Sequence, residues 1–212
     1  MKLVLLHGVG QGAESWDKVR TALAAKYAES LEIFAPALFE LGGDLSDFDG
    51  VYRAVEAYCE QFTEPFALCG LSLGGVIALK YAARRPEKLA ALVLIGAQYN
   101  LPRGLMALNN LALRLFMPKK HLATFHVKTK AELTRFMASV AAENLSEALP
   151  RLAMPVLVIC GTRDAVNLPA ARQMAAKIPG ARLELIASGH VVNEENPAAL
   201  ADCVGAFVAE AF

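Results

Sequence analysis

The sequence predicts an α/β fold: a six-stranded, mostly parallel sheet layered between helices, with a helical insertion near its middle. Three observations carry this. Short β-type runs alternate with longer helical patterns, which is the signature of βαβ units. The strand-like runs are continuously apolar, as in LVLL at 3–6 and LVLI at 92–95, and suit strands covered on both faces. One interval, 96–150, is longer than a single crossover helix needs and holds three or four short helical patterns.

The first strand is placed at 2–6. One charge and a short apolar run could suggest a leader, but the run is too short and leads into His7-Gly8. A Gly-rich turn over 7–12 precedes a helix at about 15–28. A second strand at 31–34 is stopped by Pro36. Ser46 with Asp49 three residues later reads as a capping box and opens a helix to about Phe62. Pro65 leads into a strand at 66–69, followed by a helix at 73–84. Pro86 sits in the turn before a strand at 89–95. Beyond the insertion, strands are placed at 155–160 and 182–186 and a helix at 169–177. Pro197 occupies the first turn of the last helix.

The chain has 212 residues, 55% of them from the core-forming set and 20% charged. That excludes disorder for most of the chain. At this length folding buries roughly 70% of the unfolded surface, so one core suffices. Lys+Arg and Asp+Glu are 21 each, so no global basic field for nucleic acid exists. Cys59, Cys69, Cys160 and Cys203 stand far apart, which argues against a zinc knuckle and a disulfide scaffold. No apolar run reaches the ~18 residues of a membrane span. The expected compartment is the cytoplasm.

The insertion is broken at Pro102, Pro118 and Thr129, and Thr129 with Glu132 forms another capping box. Residues 97–150 hold seven basic and three acidic side chains, a charge of +4 against −4 for the rest. They are expected to form a helical cap over a core made of 1–96 and 151–212. Leu105, Leu108, Leu111, Leu113 and Leu115 are expected in the cap core and pocket wall. His121 and His126 have no ligand spacing. The basic cluster from Lys119 to Lys130 is either a solvated surface or a guide for anionic substrates.

Gly70-Leu71-Ser72-Leu73-Gly74 follows a strand and opens a helix, the context that gives G-x-S-x-G its meaning. A serine reversing the chain there takes strained backbone angles, and small flanking residues let neighbouring backbone pass. Its hydroxyl projects at the carboxyl end of the strand. The Leu73 N–H lies at a helix N-terminus, which favours an oxyanion. A nucleophilic serine needs a base, and the base needs an orienting acid. Asp164 follows the strand ending near Cys160, and His190 follows the last strand. Both therefore lie where open α/β sheets place their sites. Taken alone, Asp164 reads as a turn or capping aspartate and His190 as a loop histidine; their order after Ser72 argues for a triad.

These pieces resemble the α/β-hydrolase family over nearly its whole core. The matching segments are His7-Gly8, Ser15-Trp16, Gly70 to Gly75, Gly161-Thr162-Arg163-Asp164, and Gly189-His190 followed by Glu195 and Pro197. The resemblance implies a three-layer α/β-hydrolase fold, with the family's first two strands absent. It implies Ser72 as nucleophile, His190 as general base, Asp164 as orienting acid, and the Leu73 and Val9 N–H groups as oxyanion hole. His7 would shape the oxyanion turn. Trp16 would be a packing residue that can also line the substrate pocket, with Leu105 and Leu108 as further pocket residues. No metal or organic cofactor is implied. The expected activity is hydrolysis of a small carboxylic ester through an acyl-enzyme, with a small acyl compound as partner. Thioester hydrolysis, C–C hydrolysis, cofactor-free lyase chemistry, or a non-catalytic receptor role use the same scaffold. A monomer or small homo-oligomer is expected.

Overall fold

The computed structural model describes residues 1–100 and 129–212. The expected positions of Leu105, Leu108, Leu111, Leu113, Leu115, His121, His126 and most of the Lys119–Lys130 cluster lie outside those residues.

Among the described residues six strands form one sheet: β1 (Lys2–Leu6), β2 (Glu32–Phe34), β3 (Phe66–Leu71), β4 (Leu89–Ile95), β5 (Val156–Gly161) and β6 (Arg182–Ile186). Their order is β2-β1-β3-β4-β5-β6. Every neighbouring pair is parallel, so the expected "mostly parallel" sheet is wholly so. Among the described residues the α-helices are α1 (Asp17–Tyr27), α2 (Phe48–Cys59), α3 (Leu73–Arg84), α4 (Lys130–Ala141), α5 (Leu168–Lys177), the single turn α6 (Val192–Glu195) and α7 (Pro197–Ala211). Among the described residues no helix is long and apolar enough to cross a membrane.

Period-2 alternation explains why the strands read as unbroken apolar runs. Leu3, Leu5, Cys69, Val93 and Leu157 point to one face and pack with α1 and α7. Val4, Leu6, Leu68, Leu92 and Val158 point to the other and pack with α2, α3, α4 and α5. Register keeps each set level across the sheet: Leu5 pairs with Cys69, Cys69 with Val93, and Val93 with Leu157.

Two helix starts show how local chemistry sets the boundaries. Thr129 caps α4 by accepting the Glu132 N–H at 3.1 Å, as its spacing predicts. At α2 the cap is Asp47, which accepts the Gly50 N–H at 2.8 Å; the expected Ser46 lies one residue outside. The Ser46 N–H instead donates to Asp44 at 3.0 Å, an Asx turn that occupies the chain just before the helix.

The strand order reverses between β1 and β3. Ligands in open α/β sheets bind outside the carboxyl ends of strands at such a switch point. The turn after β1 and the turn after β3 meet there.

Candidate active site

Ser72 follows β3 directly, with φ 52° and ψ −112°. Among the described residues it is the one non-glycine with positive φ. Such a backbone costs on the order of 1–3 kcal/mol and persists only where the surroundings impose it. The surroundings are close backbone. A Cβ at Gly70 would sit 2.1 Å from the Gly74 carbonyl oxygen, and one at Gly74 would sit 2.2 Å from that of Leu6. The Ser72 N–H donates to the Ile95 carbonyl at 2.9 Å, tying the turn to β4.

The Leu73 N–H begins α3 and so has no acceptor within its own helix. Opposite it, His7 secures the turn after β1. Its Nε2 accepts the Leu38 N–H at 3.0 Å, so Nδ1 carries the proton and donates to the Gly8 carbonyl at 2.9 Å. His7 is thus a buried structural histidine, as expected. The Gly8 N–H is taken by Gln11 Oε1 at 3.0 Å, and the Gln11 amide is held by Glu194 at 2.8 Å. Val9 and Leu73 both line the cavity that Ser72 and His190 line.

Asp164 is buried in the turn after β5, and its backbone N–H donates to the Gly161 carbonyl at 3.1 Å. Its Oδ2 lies 2.7 Å from His190 Nδ1. An ionised carboxylate only accepts, so Nδ1 carries the hydrogen and Nε2 is left as the basic nitrogen. The His190 loop is held separately. Glu195 accepts the Gly189 N–H at 2.7 Å and pairs with Arg163 at 2.9 Å. The Gly189 N–H, and then Arg163, hold the Glu195 carboxyl below its ordinary pKa. Gly96, with φ 52°, leaves room for the imidazole: a Cβ there would sit 3.2 Å from the ring.

These groups surround a cavity of about 110 Å³, lined by Val9, Ser72, Leu73, Val76, Gly96, Gln98, Met137, Val140, Asn167 and His190. The structure therefore brings together Ser72, His190, Val9 and Leu73, with Asp164 behind His190. It does not bring Trp16. That side chain is fully buried on the opposite face of the sheet, packed with Leu3, Leu5 and Leu200. A large ring in the first turn after the Gly-rich loop is drawn into the core rather than the cavity. Leu105 and Leu108 lie outside the described residues.

Gln98, Met137, Val140 and Asn167 were not singled out from sequence. Met137 and Val140 share a face of α4 at i,i+3 spacing, a signal the pattern carried. Asn167 carried no such signal, because an Asn directly before a helix reads as an ordinary cap.

A family model for the alpha/beta hydrolase family matches residues 3–203. The chain belongs to the alpha/beta hydrolase family. This alpha/beta hydrolase is 38% identical over 94 residues to a pimeloyl-[acyl-carrier protein] methyl ester esterase of Aromatoleum aromaticum, covering 44% of this chain and 36% of that protein. It is 28% identical over 254 residues to a 2-hydroxymuconate semialdehyde hydrolase of a Pseudomonas species, covering 99% and 87%. A thermophilic esterase from Thermogutta terrifontis superimposes with a TM-score of 0.80 at 19% identity, over 100% of this chain and 90% of the other. That last likeness is one of fold. The expected class, a hydrolase enzyme on an α/β-hydrolase scaffold, agrees with these findings.

Proposed function

We propose that this alpha/beta hydrolase cleaves a small carboxylic ester through an acyl-enzyme on Ser72. One observation carries the reading: a serine held at positive φ shares a cavity with an imidazole whose Nδ1 is hydrogen-bonded to a buried carboxylate. His190 Nε2 removes the proton as Ser72 Oγ attacks the acyl carbon. The N–H groups of Leu73 and Val9 receive the oxyanion. His190 then protonates the departing alkoxide, and Asp164 holds the imidazolium in place. Water, activated by the same nitrogen, attacks the acyl-enzyme and frees the acid and Ser72. The side chains named and water balance every step.

Five of the residues lining the cavity are apolar: Val9, Leu73, Val76, Met137 and Val140. An uncharged acyl chain of a few carbons suits it. The relative named for a methyl ester supports the ester reading. In this reading residues 97–150 form a cap on a core of 1–96 and 151–212, and α4 supplies the cap's part of the wall.

A second reading has one comparison in its favour. The relative matched over 99% of this chain is named for 2-hydroxymuconate semialdehyde, a compound without an ester group. Hydrolysis of a carbon–carbon bond by the same residues is the corresponding chemistry here. A fluorophosphonate probe followed by peptide mapping tests what both readings share: label is expected on Ser72 and nowhere else. A panel of short acyl esters, acyl thioesters and vinylogous 1,5-diketones then separates them. Turnover of the diketones alone would overturn the ester reading.

A further inference from the structure

Asn167 stands directly before α5, at the N-cap position, yet its side chain makes no capping hydrogen bond. Asparagine is among the best N-cap residues, and leaving the cap unmade forgoes that stabilisation. The amide turns instead toward Asp164. Its Nδ2 lies 2.9 Å from Asp164 Oδ1 and 2.8 Å from Oδ2. The backbone N–H of the same residue donates to Oδ1 at 3.2 Å. The amide orientation is fixed from behind, because Gln98 Nε2 donates to Asn167 Oδ1 at 2.9 Å. A flipped amide would set its oxygen against both carboxylate oxygens and its NH₂ against the Gln98 NH₂.

Nδ2 also lies 3.1 Å from His190 Nδ1. Both nitrogens carry hydrogens aimed at the same oxygen, Oδ2, so this approach marks convergence rather than a bond between them. Asp164 and Asn167 are both buried. A carboxylate in such a place is tolerable only when its lone pairs are met.

Resting on the triad reading above, we propose that Asn167 is a positioning residue for the reaction. It clamps the Asp164 carboxylate so that Oδ2 meets His190 Nδ1. The end of its side chain also occupies a second position from which a carboxylate could orient the same imidazole. Position 167 would then have its other oxygen met by Gln98, while a residue 164 amide oxygen would keep the 167 backbone N–H. The exchange keeps the bonds to His190, Gln98 and the 167 backbone N–H but leaves one amide–carboxylate bond in place of two, so a partial rescue is expected.

The test is a carboxylate swap, with ester turnover, fluorophosphonate labelling rate, melting temperature and circular dichroism measured on each variant. Asn167→Ala should lower kcat by about 10- to 100-fold, the scale of a lost hydrogen bond to a charged group, and change KM much less. Asp164→Asn should lower kcat on the order of 10⁴-fold. The double variant Asp164→Asn/Asn167→Asp should regain at least about tenfold over Asp164→Asn, in both turnover and labelling of Ser72. A residue that merely shaped the loop would give no such rescue. The inference is overturned if Asn167→Ala stays within twofold of the parent, or if the folded double variant is no faster than Asp164→Asn. Full activity in Asp164→Asn would instead overturn the triad reading, and the inference with it.

Discussion

The two faces of the sheet are buried by different means. On one, α1 and α7 cover the strands with apolar side chains: Val19 and Leu23 from α1, and Leu200, Val204, Phe207 and Val208 from α7. On the other, α2, α3, α4 and α5 enclose charge as well as hydrocarbon. Lys80 of α3 is 5% exposed and bonds Asp49 of α2 at 2.7 Å and Glu143, just after α4, at 3.0 Å. Its ammonium also lies 4.9 Å and 5.1 Å from the ring centroids of Phe48 and Tyr52, within cation–π range. The cavity opens on this second face, walled by Val76 of α3 and by Met137 and Val140 of α4. The first face is support. The second is where α4 is tied to the core and where a ligand can be enclosed.

The largest expected effect lies between the faces, at the strand ends. Ser72→Ala should lower turnover on the order of 10⁴-fold or more. It should leave the melting temperature at or above that of the parent, because the hydroxyl makes no part of either core. Ester turnover and calorimetry on one preparation check both. Near-normal turnover would remove Ser72 as the nucleophile.

The supporting face should show the reverse pattern. Leu200 is fully buried against it. Leu200→Ala should cost about 2–5 kcal/mol of stability. Below the melting transition it should leave the rate of fluorophosphonate labelling at Ser72 within about twofold. Denaturant unfolding beside labelling kinetics decides it. A large loss of labelling in the folded variant would show that this face also shapes the site.

Much of this division was legible in the residues. Continuous apolar strands announced a sheet covered twice, and all six fell where expected within two residues at either end. The places of Ser72, Asp164 and His190 beyond the carboxyl ends of β3, β5 and β6 were legible because loops that follow strands share one edge of a parallel sheet. What escaped were side chains whose local role and tertiary role differ. Asn167 reads as a helix cap and serves a carboxylate. Of the two roles expected of Trp16, packing and pocket wall, the structure keeps the packing alone. Ser46 satisfies the capping box by spacing, but the turn at Asp44 hands the cap to Asp47. Lys80 did leave a signal. Its helix, LGGVIALKYAAR, is apolar on nearly every side, and a lysine within a buried helix must find partners.

Lys80 supplies the third prediction. Lys80→Met keeps the hydrocarbon stem and removes the charge, leaving Glu143, a fifth exposed, without its partner. A loss of about 1–3 kcal/mol at neutral pH is expected. The effect should depend on pH with a definite sign. The Lys80 hydrogen bond holds the Asp49 carboxyl below its ordinary pKa. A group depressed in the folded state stabilises above its unfolded pKa and loses that contribution as pH falls through the folded value. The gap between parent and variant should therefore narrow from pH 6 toward pH 3. Because Asp49 is more than half exposed, the narrowing is screened and modest. Urea unfolding at several pH values measures it. A gap that stayed constant would mean that Lys80 acts through packing alone.

The gentlest probe of the comparison changes no residue. Each face holds two thiols: Cys69 and Cys203 on the supporting face, Cys59 and Cys160 on the other. All four are free. Burial pushes the Cys59 thiol up to about 12. Burial, and then the Asp164 charge, push Cys160 up to about 11. Burial raises Cys69 and Cys203 as well. The thiolate is the reactive form, so at pH 8 the closed protein offers almost none from the three buried residues. Their modification by a disulfide reagent then reports how often the surrounding structure opens. Cys203, only partly buried on α7, should react first. Cys59 and Cys160 should follow, because their face is held partly by charged groups that water can solvate once α4 lifts. Cys69, enclosed in the central strand β3 against α1 and α7, should react last, with global unfolding. Mass mapping of a time course gives the order directly. If Cys69 were modified as early as Cys59, both faces would open as one unit, and the distinction between a supporting face and an enclosing one would fail.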